Sequence, residues 1–189
     1  MSAAPSSIWE GRLVRLRAIE PEDWEQYWLD TRDTESARLG YQVGFPRSTE
    51  RAKRFANDRT TIDGTDTMAF FWAIETLGGT LVGSCNTHGV DSRNGHFEYG
   101  IGIFRPQWGH GYASDAIRVI MRYYFQELRF NKVNATVYAF NEGSLALHRK
   151  LGFAEEGCIR QSIYSDGAFH DEFWFGMTAA EFRERYPGG

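Results

Sequence analysis

Two stretches of the chain combine residue types that can do chemistry. The first runs Ile101-Gly102-Ile103-Phe104-Arg105-Pro106-Gln107-Trp108-Gly109-His110-Gly111-Tyr112-Ala113. An alternating apolar run ends there, and a glycine-bearing loop opens straight into an amphipathic pattern. The first turn of a helix carries free N–H donors and the positive end of the dipole, and glycine lets a phosphate approach the backbone. The junction therefore reads as an anion site, although a Gly-x-Gly pair also suits an ordinary strand-to-helix turn. The second stretch is Asn141-Glu142-Gly143-Ser144-Leu145-Ala146-Leu147-His148-Arg149-Lys150-Leu151-Gly152-Phe153. Asn141, Ser144, His148 and Leu151 fall on one helical face by their spacing. Taken alone, Asn141 is most simply a helix cap and Ser144 a solvated hydroxyl.

Two nucleotide-binding patterns fail on these residues. A Rossmann fingerprint needs a third Gly or Ala where Ser114 stands, and an acid about 20 residues on, where Phe130 and Asn131 stand. A Walker loop needs Gly-Lys-Ser/Thr, and no such triplet occurs.

The elements that must position these stretches follow from periodicity. An alternating segment over Ile8–Ile19 predicts a strand with a turn at Gly11. Pro21 with its flanking acids opens a helix that buries Trp24, Tyr27 and Trp28. Residues 39–46 read as a loop, and Ser48 or Thr49 caps a second helix ending near Gly64. Strands are predicted at 68–75, 80–88 and 96–104, joined by short antiparallel turns. A helical stripe follows from Ala113 to Leu128. A strand at 133–140, a helix at 142–151 with Gly152 as its left-handed cap, and strands at 154–164 and 168–177 complete the order. The reading is a mixed α/β (α+β) layer structure with seven strands and about four helices. Residues 1–7 read as a flexible arm and 8–189 as one domain, as expected for 189 residues.

Composition bounds the function. A net charge of −4 argues against a protein whose main job is coating nucleic acid, which needs a basic face. Two cysteines, Cys85 and Cys158, exclude a disulfide scaffold and point to a reducing, cytoplasmic setting. No Cys/His spacing suggests a metal site. No signal peptide and no apolar run of membrane-spanning length is expected.

The two stretches together resemble the GNAT superfamily of N-acetyltransferases, in the branch of the ribosomal-protein alanine acetyltransferases. There a Trp-Gly-x-Gly-Tyr-Ala run and an Asn-x-x-Ser-x-x-x-x-x-Lys-Leu-Gly-Phe run recur in this order. Both stand intact here, as Trp108 to Ala113 and Asn141 to Phe153. One departure from the wider superfamily pattern is Trp108, where many members carry Arg or Gln. The resemblance covers about residues 8–178.

It implies a GNAT fold whose splayed parallel strands hold acetyl-CoA as cosubstrate. Main-chain groups of Ile101, Ile103 and Phe104 would meet the pantetheine arm. Amides of Gly109, His110, Gly111, Tyr112 and Ala113 would hold the pyrophosphate. Asn141 and Ser144 would face the pantetheine, and Lys150 or Arg149 the 3′-phosphate end. The implied reaction is attack of a neutral amine on a thioester. Glu98, in Glu-x-Gly, is the candidate base; it also fits a surface strand carboxylate. The leaving thiolate needs an acid, from His148 or Ser144, and His148 fits a packing role equally. The acceptor is a protein N-terminus or a small amine. It would enter past the first helices and the final hairpin, which offer Trp24, Tyr27, Trp28, Tyr41, Phe45, Tyr164, Asp166, Phe169, Asp171 and Glu172. A non-catalytic acyl-CoA-binding or interaction protein on the same scaffold is the alternative. The aromatic final hairpin would leave an exposed edge, so a homodimer is expected.

Overall fold

Val14 and Leu16 are buried while Arg15 and Arg17 reach Glu75 on the neighbouring strand, the period-two alternation that makes β1 (Val14–Ala18). The same logic runs through a computed structural model that describes residues 7–40, 43–61 and 64–187. After β1 come α1 (Trp24–Asp30), α2 (Thr34–Gly40) and α3 (Thr49–Arg59), then β2 (Phe71–Thr76), β3 (Leu81–Asp91) and β4 (His96–Ile103). The order continues with α4 (Tyr112–Gln126), β5 (Lys132–Tyr138), α5 (Glu142–Leu151), β6 (Ala154–Ser165), β7 (Ala168–Thr178) and α6 (Ala179–Arg185).

The seven strands form one sheet in the order β1-β2-β3-β4-β5-β7-β6. Only the β4–β5 pair is parallel, which requires the α4 crossover between them. One face carries the main core. There Ala116, Ile117, Ile120, Met121 and Tyr124 of α4 pack with Phe97 and Tyr99 of β4, Leu145 and Leu151 of α5 and Phe182 of α6. The other face carries a smaller cluster of Ile19, Tyr27, Ala56 and Ala73, with Phe55 and Phe104 against it, under α1 and α3.

The predicted caps stand where expected. Ser48 accepts from Arg51 N, Asn141 accepts from Ser144 N, and Gly152 adopts φ +91° to end α5. Three details differ. About four helices were expected, and the described residues hold six α-helices, α2 and α6 being additional. β1 is shorter than Ile8–Ile19, because residues ahead of Val14 wrap a side chain of α4 instead of continuing the ladder. The expected arm and the candidate acceptor residue Tyr41 lie outside the described residues, except for Ser7, which is exposed.

Candidate active site

The central feature is a break in the sheet. β4 and β5 pair at His96/Lys132, Phe97/Val133 and Glu98/Asn134, and no further. Beyond that vertex the two strands part, leaving β4 paired only with β3. The Phe104 N–H donates to Val82 O, so the antiparallel alternation turns the main-chain groups of Gly102 and Gly100 toward β3. Those of Ile101 and Ile103 face the gap. The Ile101 peptide therefore faces the gap with no strand beside it. The Ile103 carbonyl is not free: it accepts the Trp108 indole N–H at 2.6 Å. Phe104 is not free either, since its carbonyl accepts from Gln107 N and its ring packs on Tyr27.

Each lip of the gap runs into a helix N-terminus. On the β4 side, Gly109 and Gly111 take φ of +80° and +84°, and a Cβ at Gly109 would meet nothing within 4 Å. A left-handed glycine at the N-cap turns the chain so that the first-turn amides point outward. Asp115 is the first residue to join the ladder, through Gly111 O at 3.2 Å. The amides of residues 109–114 find no main-chain acceptor among the described residues, so Gly109, His110, Gly111, Tyr112 and Ala113 offer a row of donors at a positive helix end. The His110 ring stacks on Tyr112.

Asp115 anchors this end of α4. Its carboxylate is 2% exposed and accepts from Leu13 N at 2.7 Å and Val14 N at 3.1 Å, with Arg118 at 3.0 Å. Burial by itself would raise its pKa; the N–H donors of residues 12–14 and Arg118 outweigh that and hold it below the usual carboxylate value. A Cβ at Gly11 would collide with this carboxylate, so the wrapping segment needs glycine there.

On the β5 side, Asn141 caps α5 through Ser144 N at 3.0 Å and donates its amide to Leu39 O of α2 at 3.1 Å. Its side chain is thus committed to both helices. Lys150 is exposed at the far end of α5 from Asn141, where its carbonyl accepts from Arg185, and Arg149 pairs with Glu155. His148 is 3% exposed. Its Nδ1 lies 2.8 Å from Ser144 O and 3.4 Å from Ser144 Oγ, and its Nε2 lies 2.7 Å from the Tyr99 hydroxyl. Burial lowers its pKa, against a smaller opposing effect of the Ser144 carbonyl, so the imidazole is neutral at pH 7.

Glu98 sits at the vertex, on the sheet face of α1 and α3. His88, its cross-strand partner, approaches it at 3.7 Å. Along the same face of β4, a Cβ at Gly100 would meet the Asn86 amide at 2.7 Å, and only at Gly102, four residues from Glu98, is there nothing within 4 Å of one. α2 spans this side. Glu35 and Asp33 meet Arg105 at 2.5 and 3.6 Å, while Arg38 meets Asp166 at 2.5 Å and Leu39 holds Asn141. One short helix is tied to both lips.

A strand pair that parts beside two helix N-termini is a geometry that families share, and the comparisons agree on which. The sequence profile of the acetyltransferase (GNAT) domain matches residues 13–154, three quarters of the chain. The chain belongs to the GNAT acetyltransferase family. YokL, an uncharacterized N-acetyltransferase derived from the SPbeta prophage of Bacillus subtilis, is 38% identical over 93% of this chain and 96% of its own. YdaF of the same organism, provisionally named a ribosomal N-acetyltransferase, is 29% identical over 89% and 93%. The spermidine N-acetyltransferase of Vibrio cholerae, solved with CoA and spermine, shares the fold at a TM-score of 0.75 and 20% identity, over 89% and 97%.

Within this GNAT domain, sequence reasoning passed over Tyr99 and Asp115. Their deciding partners lie far along the chain, His148 for Tyr99 and the amides of Leu13 and Val14 for Asp115, and the nearby Arg118 does not single Asp115 out. Among the described residues no group of three His, Cys, Asp or Glu side chains could hold a metal ion, and no helix is long and apolar enough to cross a membrane.

Proposed function

We propose that the chain transfers the acetyl group of acetyl-CoA to a primary amine, by direct attack and without an acyl-enzyme. The observation that carries this reading is the parting of β4 from β5 next to the free amides of residues 109–114. A pyrophosphate on those amides lets the pantetheine arm run back along Ile101, with its thioester near the vertex. Neither thiol suits a covalent route. Cys85 is buried in the core with its thiol pushed far up by burial, and Cys158 is exposed on β6.

The amine must arrive neutral. For a lysine-like amine of pKa about 10.4, deprotonation at pH 7 costs about 4.6 kcal/mol; for an α-amino group near 7.8 it costs about 1. Glu98 takes the ammonium proton, directly or through water, as the nitrogen attacks the carbonyl carbon. The C–S bond then breaks, and the Ser144 hydroxyl passes its proton to the thiolate as it takes one from solvent. His148, with both nitrogens occupied, positions rather than donates. A protein N-terminus is one acceptor class, in keeping with the name of YdaF; a small amine is the other.

The exposed length of β6, an edge strand, with Ile159, Tyr164 and Phe169 near it 47%, 62% and 63% exposed, supports a homodimer through the final hairpin. Sedimentation of a 21.7 kDa monomer at micromolar concentration would reject that part.

The test is thiol release from acetyl-CoA across a panel of peptides with free N-termini, polyamines and amino acids. Glu98→Gln should lower kcat/KM by about 10²–10⁴ at neutral pH, an effect that shrinks as pH rises and free amine accumulates. Binding of acetyl-CoA without turnover on any amine would replace this reading with a non-catalytic acyl-CoA-binding role. A pH-independent loss under about threefold would leave Glu98 a structural carboxylate.

A further inference from the structure

We propose that the Tyr99–His148 hydrogen bond is a strut that closes the vertex of the gap and restricts the donor to short acyl groups. The inference rests on the acyl-CoA reading above and adds the residues that set acyl-chain length.

Tyr99 is the first β4 residue past the last β4–β5 pair, Glu98/Asn134. Where main-chain pairing stops, its side chain takes over the connection. The hydroxyl reaches His148 of α5, the helix that follows β5, at 2.7 Å. The bond therefore joins the two halves of the sheet one residue beyond the point where their backbones let go.

Proton placement in this pair is determined. The Ser144 carbonyl, 2.8 Å from Nδ1, can only accept, so Nδ1 carries the hydrogen. The neutral ring then has a lone pair at Nε2, and the Tyr99 hydroxyl donates to it. Tyr99 and His148 are 6% and 3% exposed, so no water competes for the bond. Aromatic packing wedges it in place. The imidazole stacks on Phe175 with centroids 5.4 Å apart and meets the edge of Phe153 at 5.2 Å, and Phe153 also contacts Tyr99.

The direction of the ligand follows from the donors. Phosphates held at residues 109–113 mark the open end of the gap, so the acyl end points to the vertex. Its terminal carbon is met there by the Tyr99–His148 pair. An acetyl group ends short of that barrier, and a longer chain runs into it. The buried imidazole is thus a wall and a brace, a role that explains why a titratable ring is enclosed with no exit for its proton.

The experiment compares wild type, His148→Ala and Tyr99→Phe, all full length. Calorimetry gives the Kd for acetyl-, butyryl- and hexanoyl-CoA, thiol release gives kcat and KM with the best amine, and thermal unfolding monitors the fold. His148→Ala should raise the butyryl-to-acetyl preference at least about tenfold, the scale of a pocket gaining room for methylenes. Tyr99→Phe keeps the ring and removes only the donor, so it serves if His148→Ala does not fold; it should shift the same ratio about threefold and lower kcat more than it raises KM. Unchanged acyl preference in a folded variant, with activity lost only in step with Tm, would overturn the strut. Wild type that binds acetyl-CoA but acetylates no amine would defeat the catalytic reading while the calorimetric ratios still decide this one. Wild type that binds no acyl-CoA would overturn both.

Discussion

Replacing Asp115 by Asn tests whether α4 is held by a buried charge. The carboxylate accepts from Leu13 N at 2.7 Å and Val14 N at 3.1 Å, and pairs with Arg118 at 3.0 Å. Asn can turn its one oxygen to the two amides, but its NH2 then faces Arg118, donor against donor. Hydrogen bonds to a charged acceptor contribute about 1.5–3 kcal/mol and neutral ones about 1, so two weakened bonds cost about 2 kcal/mol. The Arg118 pair is partly open to solvent and adds at most about 1. With roughly 2.1 cal/mol/K per residue of unfolding entropy, a chain of this size should lose about 5–8 °C of Tm at pH 7. The pH dependence has a definite sign. The folded pKa of Asp115 is depressed, so its contribution is complete above the unfolded value of about 3.9 and is lost as pH falls through the folded value. The Tm gap between wild type and Asp115→Asn should hold from pH 5 to pH 8 and close on acidification below about pH 4. Scanning calorimetry across that range is the assay. A gap under about 1 °C at pH 7, or one that survives unchanged to pH 3, would refute the charged-anchor argument.

Gly111→Glu should abolish acetyl-CoA binding, because it puts a strained φ and a negative charge at the amide row; calorimetry giving an unchanged Kd in a folded variant would remove the pyrophosphate site from residues 109–113. Asn141→Ala combined with Ser144→Ala should weaken CoA binding by about 1–3 kcal/mol if these groups reach the pantetheine. A fall in Tm with an unchanged Kd would confine Asn141 to its two observed roles, capping α5 and holding Leu39.

How much of this was legible in the sequence depended on whether the signal was local. Ser48, Asn141 and Gly152 act within a turn of where they stand, and each cap was read correctly. The succession of the seven strands along the chain followed from alternation and turn residues; their order in the sheet did not. α2 was missed because none of its residues is buried, so no apolar period marks it; it is fastened by Arg105, Asp166 and Asn141 from distant parts of the chain. α6 was missed although its signature was present: Thr178 and Glu181 form a reciprocal capping box ahead of the buried Phe182. At the site, the glycines and Asn141 were legible as a pattern. The commitment of the Ile103 carbonyl to Trp108 depends on how the intervening loop folds back, and the enclosure of His148 by Tyr99 on a contact 49 residues apart, and no spacing encodes either.

The gap between β4 and β5 also gives this sheet a third edge, placed in its interior. Perimeter strands are commonly blunted by charge, proline or short length, because a bare row of N–H and C=O groups invites another chain to add itself. An interior edge has a different defence. Along the unpaired length of β4 the Ile103 carbonyl, which faces the gap, is plugged by the Trp108 indole, while no such partner meets the Ile101 peptide among the described residues. An invading strand gains few ladder bonds before it meets that plug, whereas a ligand with one or two amides has all it needs. The Trp108 indole thus caps this interior edge at the end of β4, next to the amides of residues 109–114.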